Sequence, residues 1–542
     1  MNPEAFYSEV STQALRVLIP ELVILLTATV VMTLGAFTRQ PRRIWSLTSF
    51  LTLVVALITL YGVRSTEADA YGSVVLNDAF SWWTRLGFLL SGLILVAMAH
   101  DQVDDSRAPE FFGSILMVVA GSMVVGAAND LVLLFVGLEL VSIPTYLLLY
   151  LSRRNVATQE AAIKYFFLSV FSSGLLLFGL AYLYGIAGVG NLKALAYCVQ
   201  KVPFVPNAAL ALVAIVFVMA GLGFRVAAVP FHFYAPDVYE GSPTIVTAML
   251  AWIPKGVGFV AILRALTSIF AQVEVVSQRG AILGFLLAIA TMTVGNLMAL
   301  RQSNLKRLLA YSSIAHAGYL LIGVVAAFRN SPQITGQTSQ AATLILGSEG
   351  VLLYLATYAL MTLGAFAVLL MVDTPDRPVE SVDDLNGLSK SHPLAALLMG
   401  LCLFSLAGVP PLAGFWGKFW VFSSALGAIP PQAEEGPGMM VVLVVLGGLN
   451  AAIGAYYYLR LVIAMYLKPA EGVAVRPRAA WPTTLAAASC AILSLLLGCY
   501  STPLQMASRE AAVSAIAQPG MPSTASNPGT IRTASLEREA IP

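Results

Sequence analysis

The chain has 542 residues, 58% of them hydrophobic and only 11% charged, with a formal net charge of +2 and a mean hydropathy of +0.82. Soluble domains carry about 25% charged residues, so a water-soluble globule is excluded. The apolar runs are about 20 residues long and do not alternate in segments of about ten, which excludes a β-barrel and leaves an all-α polytopic membrane protein.

The N-terminus, "MNPEAFYSEVSTQAL", is mildly acidic and lacks the basic region and cleavage site of a signal peptide, so the first span is expected to be retained. In chain order the apolar runs predict fourteen spans, near 14–36, 44–63, 80–99, 110–128, 130–151, 161–187, 207–233, 243–270, 279–299, 306–327, 350–372, 393–426, 440–467 and 480–499. The tail 500–542, rich in Ser, Thr, Pro and Glu, is expected to be disordered.

Basic residues divide unevenly between alternate loops. Fourteen Lys/Arg, span edges included, fall on the side that joins spans 1–2, 3–4 and so on to 13–14, in stretches such as "RQPRR", "SRRN" and "KPAEGVAVRPR". Five fall on the other, two of them Lys193 and Lys201 in the loop 188–206. The positive-inside rule then puts the first set in the cytoplasm and both termini outside.

Two spans are interrupted. Span 12 is too long for a straight crossing and carries Pro410–Pro411 at its middle, and span 7 has Pro230 near its end. Proline removes a backbone donor and kinks a helix, and a break within the membrane persists only where protein or a water-filled cavity satisfies the freed groups. Broken helices in two halves of one chain suggest inverted repeats. The expected organisation is three N-terminal helices (1–109), a first five-helix repeat (110–270), a second (279–467), a last helix (468–499) and the tail (500–542), with discontinuous helices 7 and 12.

Six ionisable residues fall well inside spans: Glu139, Lys164, Arg225, Lys255, His316 and Lys418. A charge at the bilayer centre costs about 2.5–3.5 kcal/mol on insertion scales, so such residues face a bundle interior or cavity. Arg85, Arg264 and Arg460 lie close to span ends, where snorkelling to the interface gives them a structural reading. Glu139 is too short to snorkel and needs a proton or a cation. Lys164, one turn into the next span, is one candidate partner, and an interfacial lysine is its other reading. Lys255 follows Pro254 near mid-span, and Lys418 stands beyond the double proline. A desolvated lysine exchanges a proton readily. His316, in "AYSSIAHAGYL", suits a relay or is a histidine satisfied by a neighbouring hydroxyl. His232 lies at the edge of span 7.

Four cysteines (198, 402, 490 and 499) share no metal or redox spacing, and no P-loop or GxGxxG after a strand occurs. Nothing in the sequence points to haem, an iron–sulfur cluster, a flavin, a nucleotide, a metal or nucleic acid. Titratable groups in a chain suffice for protons. Sodium would favour clustered carboxylates, and Glu139 is the only deep one expected.

"FVGLELVSIPTYLLLYL", "EAAIKYFFLSVFSSGLLLFGLAYLYG", "VPFHFYAPDVYEGSPTIVTAMLAWIPK", "NLKRLLAYSSIAHAGYLLIG" and "GVPPLAGFWGKFWVF" resemble the antiporter-like subunits of proton-pumping NADH:quinone oxidoreductase, respiratory complex I. Within that family "PDVYEGSP" and "GLEL" resemble the subunit N (subunit 2) type. The resemblance implies a proton-translocating subunit of a bacterial inner membrane, held among other membrane subunits of the complex. It also implies that the complex as a whole uses NADH and quinone while this chain binds no cofactor. By motif position Glu139 resembles the glutamate of helix 5, Lys164 its lysine partner on helix 6, Lys255 the central lysine of helix 8 and Lys418 the lysine of helix 12.

At Arg225 the family usually has lysine. Arginine stays charged in proteins, which suggests a fixed positive charge that pairs with a carboxylate such as Glu139 and acts on Lys255, or else a site with altered pumping. Rival readings are a subunit of a cation/proton antiporter or membrane-bound hydrogenase, and a non-transporting scaffold in which these charges do nothing.

Overall fold

The computed structural model describes residues 12–66, 72–152, 156–201, 208–268, 274–328, 337–373, 379–428, 438–469 and 481–516. Among these the chain is helical, with only isolated bridges and no strand. In order the helices are α1 (Ile19–Phe37), α2 (Arg42–Gly62), α3 (Ala79–Ala99), α4 (Ala108–Ala127), α5 (Leu131–Ser152), α6 (Val156–Ala187), α7 (Leu192–Lys201), α8 (Ala208–Arg225) and α9 (Tyr234–Gly241). There follow α10 (Thr244–Ser268), α11 (Glu274–Leu300), α12 (Leu305–Phe328), α13 (Gln337–Val372), α14 (Pro393–Ala407), α15 (Ala413–Gly427), α16 (Gly438–Tyr466), α17 (Trp481–Cys499) and α18 (Thr502–Ile516).

Twelve helices among the described residues are long and apolar enough to cross a membrane, and two shorter apolar helices, Ala209–Arg225 and Pro393–Ala407, lie at the breaks. The apolar windows of α10 and α12 are wholly buried inside the protein, whereas those of α1 and α16 are only 28% buried. Apolar side chains face lipid as readily as protein, so hydropathy alone does not sort these two classes. In both classes the polar side chains turn toward protein, as Glu21 of α1 and Asn450 of α16 do, because a polar group must find a protein partner rather than hydrocarbon. Helices α11 and α12 cross closely because both present glycine at the contact. A Cβ at Gly318 would stand 2.4 Å from the Met292 nitrogen, and one at Gly295 would stand 2.6 Å from that of Ala315. Small residues permit this backbone approach in membrane bundles.

The predicted span 7 ends earlier than its apolar run. Helix α8 stops at Arg225, and Ala228 N–H donates to Gly223 O (2.8 Å) while Ala227 N–H donates to Phe224 O (2.9 Å). This pair of bonds is a Schellman closure, with Ala227 in the left-handed region at φ 56°. Span 12 breaks in the same way. Val409 N–H donates to Phe404 O and Gly408 N–H to Ser405 O, both at 3.0 Å, with Gly408 at φ 87°.

The tail differs from expectation over its first part. Residues 502–516 form α18, with Ala507, Ser508, Ala511, Ala512 and Ala515 buried against the bundle. The helix is anchored where Phe80 N–H donates to Ser514 Oγ (2.9 Å) and Lys193 Nζ to the Ala515 carbonyl (2.9 Å). Short alanine and serine side chains, poor in bulk hydropathy, make this face. Residues 517–542 lie outside the described residues, as do 470–480, which hold most of the basic stretch before the last span.

Candidate functional site

Most of the candidate site residues within the bundle fall into two groups. The first is built on α5, α6 and the end of α8. Arg225 is 5% exposed and pairs with Glu139, Nη2 to Oε1 at 2.8 Å. Its Nη1 donates to Ser142 Oγ (2.6 Å) and to the Leu138 carbonyl (3.1 Å). Ser173 of α6 completes the cage, donating to the same Glu139 oxygen at 2.5 Å and accepting from Arg225 Nη2 at 3.3 Å. The guanidinium thus meets a carboxylate, two hydroxyls and a carbonyl, a setting that suits its planar fork of donors.

Lys164 does not join this group. Its Nζ stands 2.7 Å from both Glu160 and Asp237, and its side chain is 39% exposed. The Glu139 partner is therefore Arg225 and not the lysine of the neighbouring helix. Residue 164 is about two turns in from the start of a helix of 32 residues, and its ammonium sits at the polar rim.

The second group follows α10, α12, α13, α15 and α16. Lys255 Nζ contacts Ser313 Oγ, and Ser313 is 2.6 Å from the Tyr358 hydroxyl. His316, one turn along α12, has Nδ1 2.7 Å from Tyr354 Oη and Nε2 2.9 Å from Tyr458 Oη, and Tyr458 contacts Ser312. The imidazole lies 5.1 Å from the Tyr358 ring centre, which places the lysine and histidine clusters side by side.

Lys418 ends the series. Its Nζ donates to the carbonyls of Leu406 and Ala407, both at 2.9 Å, and lies 5.3 Å from the centre of the Tyr319 ring. Those carbonyls belong to the last turn of α14, which the break leaves without helical partners. A cation there also meets the negative end of the helix dipole.

The proline beside Lys255 has a local consequence. Pro254 has no N–H to give the carbonyl of Leu250, and the Tyr239 hydroxyl donates to that oxygen instead at 3.2 Å. Tyr239 also stands 3.5 Å from Ser313 Oγ. The Ala251 carbonyl likewise receives Tyr358 Oη at 3.3 Å.

The arginines read as snorkelling divide. Arg85 is fully buried and bidentate, Nε and Nη2 each 2.7 Å from a Glu21 oxygen. Arg264 is 1% exposed and bidentate to Asp78 at 2.7 and 2.8 Å, with the Gly126 carbonyl at 2.9 Å. Neither reaches outward. Each has a carboxylate at the start of another helix, a partner that distance along the chain concealed. Burial pushes the Asp78 carboxyl up, but the charge and hydrogen bonds of Arg264 outweigh it and hold the group below the usual carboxylate range. Arg460 is half-buried and donates to the carbonyls of Leu300 and Gln302. His232 is half-buried at the first break, and its Nδ1 has no hydrogen-bond partner among the described residues.

Glu139 is half-buried, its side chain 22% exposed, and it is not the only carboxylate within the spans. Glu21 and Glu349, at 1% and 4% exposure, also lie within apolar helices. The tyrosines 354, 358 and 458 and the serines 312 and 313 were missed from sequence. The one available signal was "AYSSIAH", hydroxyls one turn before a buried histidine. Among the described residues no group of three or more His, Cys, Asp or Glu converges as a metal set would.

The comparisons agree with this architecture. A family model described as NADH:quinone oxidoreductase/Mrp antiporter, TM, matches residues 128–445. NADH-quinone oxidoreductase subunit N of Paramagnetospirillum magneticum is 38% identical over 460 residues, 84% of this chain and 88% of that protein. The subunit N of Methylobacterium nodulans is 37% identical over 93% of this chain and 98% of its own length. Among solved structures, a chain of respiratory complex I from Thermus thermophilus with bound aureothin is 30% identical, with a TM-score of 0.72, covering 90% of this chain and 99% of that one. The Mrp complex from Dietzia shares the fold at a TM-score of 0.75 and 21% identity, over 94% of this chain and 97% of that one.

Proposed function

We propose that this chain, which belongs to the subunit N family of NADH-quinone oxidoreductase, moves protons along its interior through Lys255, His316 and Lys418, while Arg225 serves as a fixed charge paired with Glu139. The chain is a membrane subunit of such a complex, held among its other membrane subunits. The observation that carries the reading is the buried polar series on α10, α12, α13, α15 and α16. There two lysines and a histidine touch hydroxyls and carbonyls and, among the described residues, no carboxylate. Lys255 and His316 exchange a proton through the hydroxyls they touch, and the carbonyls on Lys418 orient its ammonium while its proton passes to water in the break, whereas Arg225 is held in a salt bridge and keeps its proton.

On this reading NADH and quinone chemistry takes place on other subunits, and the translocase step here is proton transfer. Counterparts in the two halves, 110–270 and 279–467, are the breaks after Arg225 and after Ala407, both closed by the same pair of backbone bonds. The bacterial relatives support an inner-membrane location, and the positive-inside count favours both termini on the periplasmic side.

The test is NADH-driven proton uptake, measured with quinone reduction, in inverted vesicles carrying Lys255→Met. The expected result is a fall in proton uptake of about tenfold or more, as for loss of a positioned proton carrier, with the complex assembled. Wild-type uptake in that variant would remove Lys255 from the path.

A further inference from the structure

The polar rim beneath the first break holds a cluster that the proton path does not use. Asp237, in the middle of α9, accepts from Lys164 of α6 at 2.7 Å through Oδ2 and from Arg307 of α12 at 2.8 Å through Oδ1. Arg307 also donates to Glu240 of α9 at 2.7 Å, and Asn304 donates to the same carboxylate at 3.2 Å. Burial pushes the Asp237 carboxyl up, and the two cations outweigh it and hold it below the usual range. A single surface ion pair is worth little. Here one carboxylate ties two other helices to a two-turn helix.

Both ends of α9 reach the interior groups. At its start the Tyr234 ring stacks on Phe224 with centroids 4.3 Å apart, and its hydroxyl donates to the Phe224 carbonyl at 3.0 Å. Phe224 is the residue before Arg225. Toward its other end Tyr239 caps the carbonyl left free by Pro254 and stands beside Ser313, the contact of Lys255. The helices tied by Asp237 carry the remaining partners: Ser173 of the Arg225–Glu139 pair lies on α6, and Ser313 and His316 lie on α12.

Resting on the reading above, the geometry points to α9 as a connecting bar between the Arg225–Glu139 pair and the Lys255–Ser313 contact, with Asp237 the positioning residue that fixes it. A shift of Arg225 moves Phe224, hence Tyr234, hence the bar and Tyr239. Without the two cations on Asp237, α9 loses its Lys164 tie to α6 and one of its two Arg307 ties to α12, and the shift is passed on less fully.

The experiment compares Asp237→Asn, Asp237→Glu and Tyr239→Phe in inverted vesicles of the whole complex, with Lys255→Met alongside. Proton uptake, NADH oxidation and the amount of assembled complex are read together. Asp237→Asn is expected to lower proton uptake per assembled complex on the order of threefold or more, and Asp237→Glu to restore most of it. A purely structural role would instead lower the amount of complex and leave uptake per complex unchanged. Tyr239→Phe, which keeps the ring and all of the ion pairs, is expected to lower uptake in the same sense, and it decides the matter if Asp237→Asn fails to assemble. The bar is overturned if either assembled variant pumps at the wild-type rate while Lys255→Met is disabled. If Lys255→Met also pumps normally, it is the proton-path reading that falls.

Discussion

The two broken helices end alike and are furnished differently. Each closes with the same pair of backbone bonds onto a residue in the left-handed region, Ala227 in the first and Gly408 in the second. At the first break the cation is an arginine in contact with a carboxylate, 2.8 Å away. At the second it is a lysine that meets, among the described residues, the carbonyls of Leu406 and Ala407 and the face of Tyr319. A permanent charge buried in a bundle needs a counter-charge, because an unpaired one is costly. A lysine held by neutral acceptors can lose its proton and leave no unpaired charge behind. On the proposed function, the difference separates a place that holds charge from a place that passes it on.

Removing the counter-charge breaks the comparison most severely. Glu139→Gln leaves Arg225 buried without an anion, and breaking such a pair costs about 3–5 kcal/mol. The expected outcome is a marked loss of assembled complex on native gels, partly recovered in Glu139→Gln combined with Arg225→Met.

The two closures give a milder contrast. At Gly408 a Cβ would stand 3.0 Å from Lys418 Cδ and 3.3 Å from its Nζ, in a left-handed conformation. Gly408→Ala is therefore expected to displace Lys418 from its carbonyls as well as to add about 1 kcal/mol of backbone strain. Proton uptake should fall more than the thermal midpoint of the complex does. Ala227→Gly is the converse. It relieves about 1 kcal/mol of the same strain and should raise the midpoint slightly with pumping unchanged.

The smallest effect concerns Lys193, on the side of α18. Burial and the nearby Arg264 push its ammonium down to about 8, against the pull of Asp78. The folded chain binds this proton less tightly than the unfolded one, so this group's contribution to stability rises with pH from about 8 to the ordinary lysine value of about 10.4. Lys193→Gln should be more stable than wild type below pH 8, with the advantage narrowing toward pH 10. A gap that stays constant would show that the group does not titrate there.

Much of this architecture was legible in the residue pattern. Apolar runs of about 20 residues located the spans, and the mid-span charges Arg225, Lys255, His316 and Lys418 all proved buried, because hydrocarbon forces such groups inward. What the pattern concealed was pairing. The sequence left Glu139 two cation partners, Lys164 on the next helix and Arg225 farther along, and nothing along the chain decides between them. Arg85 and Arg264 look like end-of-helix residues until Glu21 and Asp78, 64 and 186 positions away, are brought beside them. The tyrosines of the interior were hidden in apolar runs, where an aromatic ring scores as core and its hydroxyl goes unnoticed. Helix α18 was hidden by alanine, which buries well but adds little hydropathy.

The most direct test of the account exchanges the two kinds of cation. Lys255→Arg and Arg225→Lys, each in inverted vesicles of the whole complex, are measured for NADH-driven proton uptake together with quinone reduction. The account predicts that Lys255→Arg, which cannot release its proton, loses uptake by about tenfold or more, while Arg225→Lys keeps its pair with Glu139 and stays within about twofold of wild type. Wild-type uptake in Lys255→Arg, with the complex assembled, would contradict it.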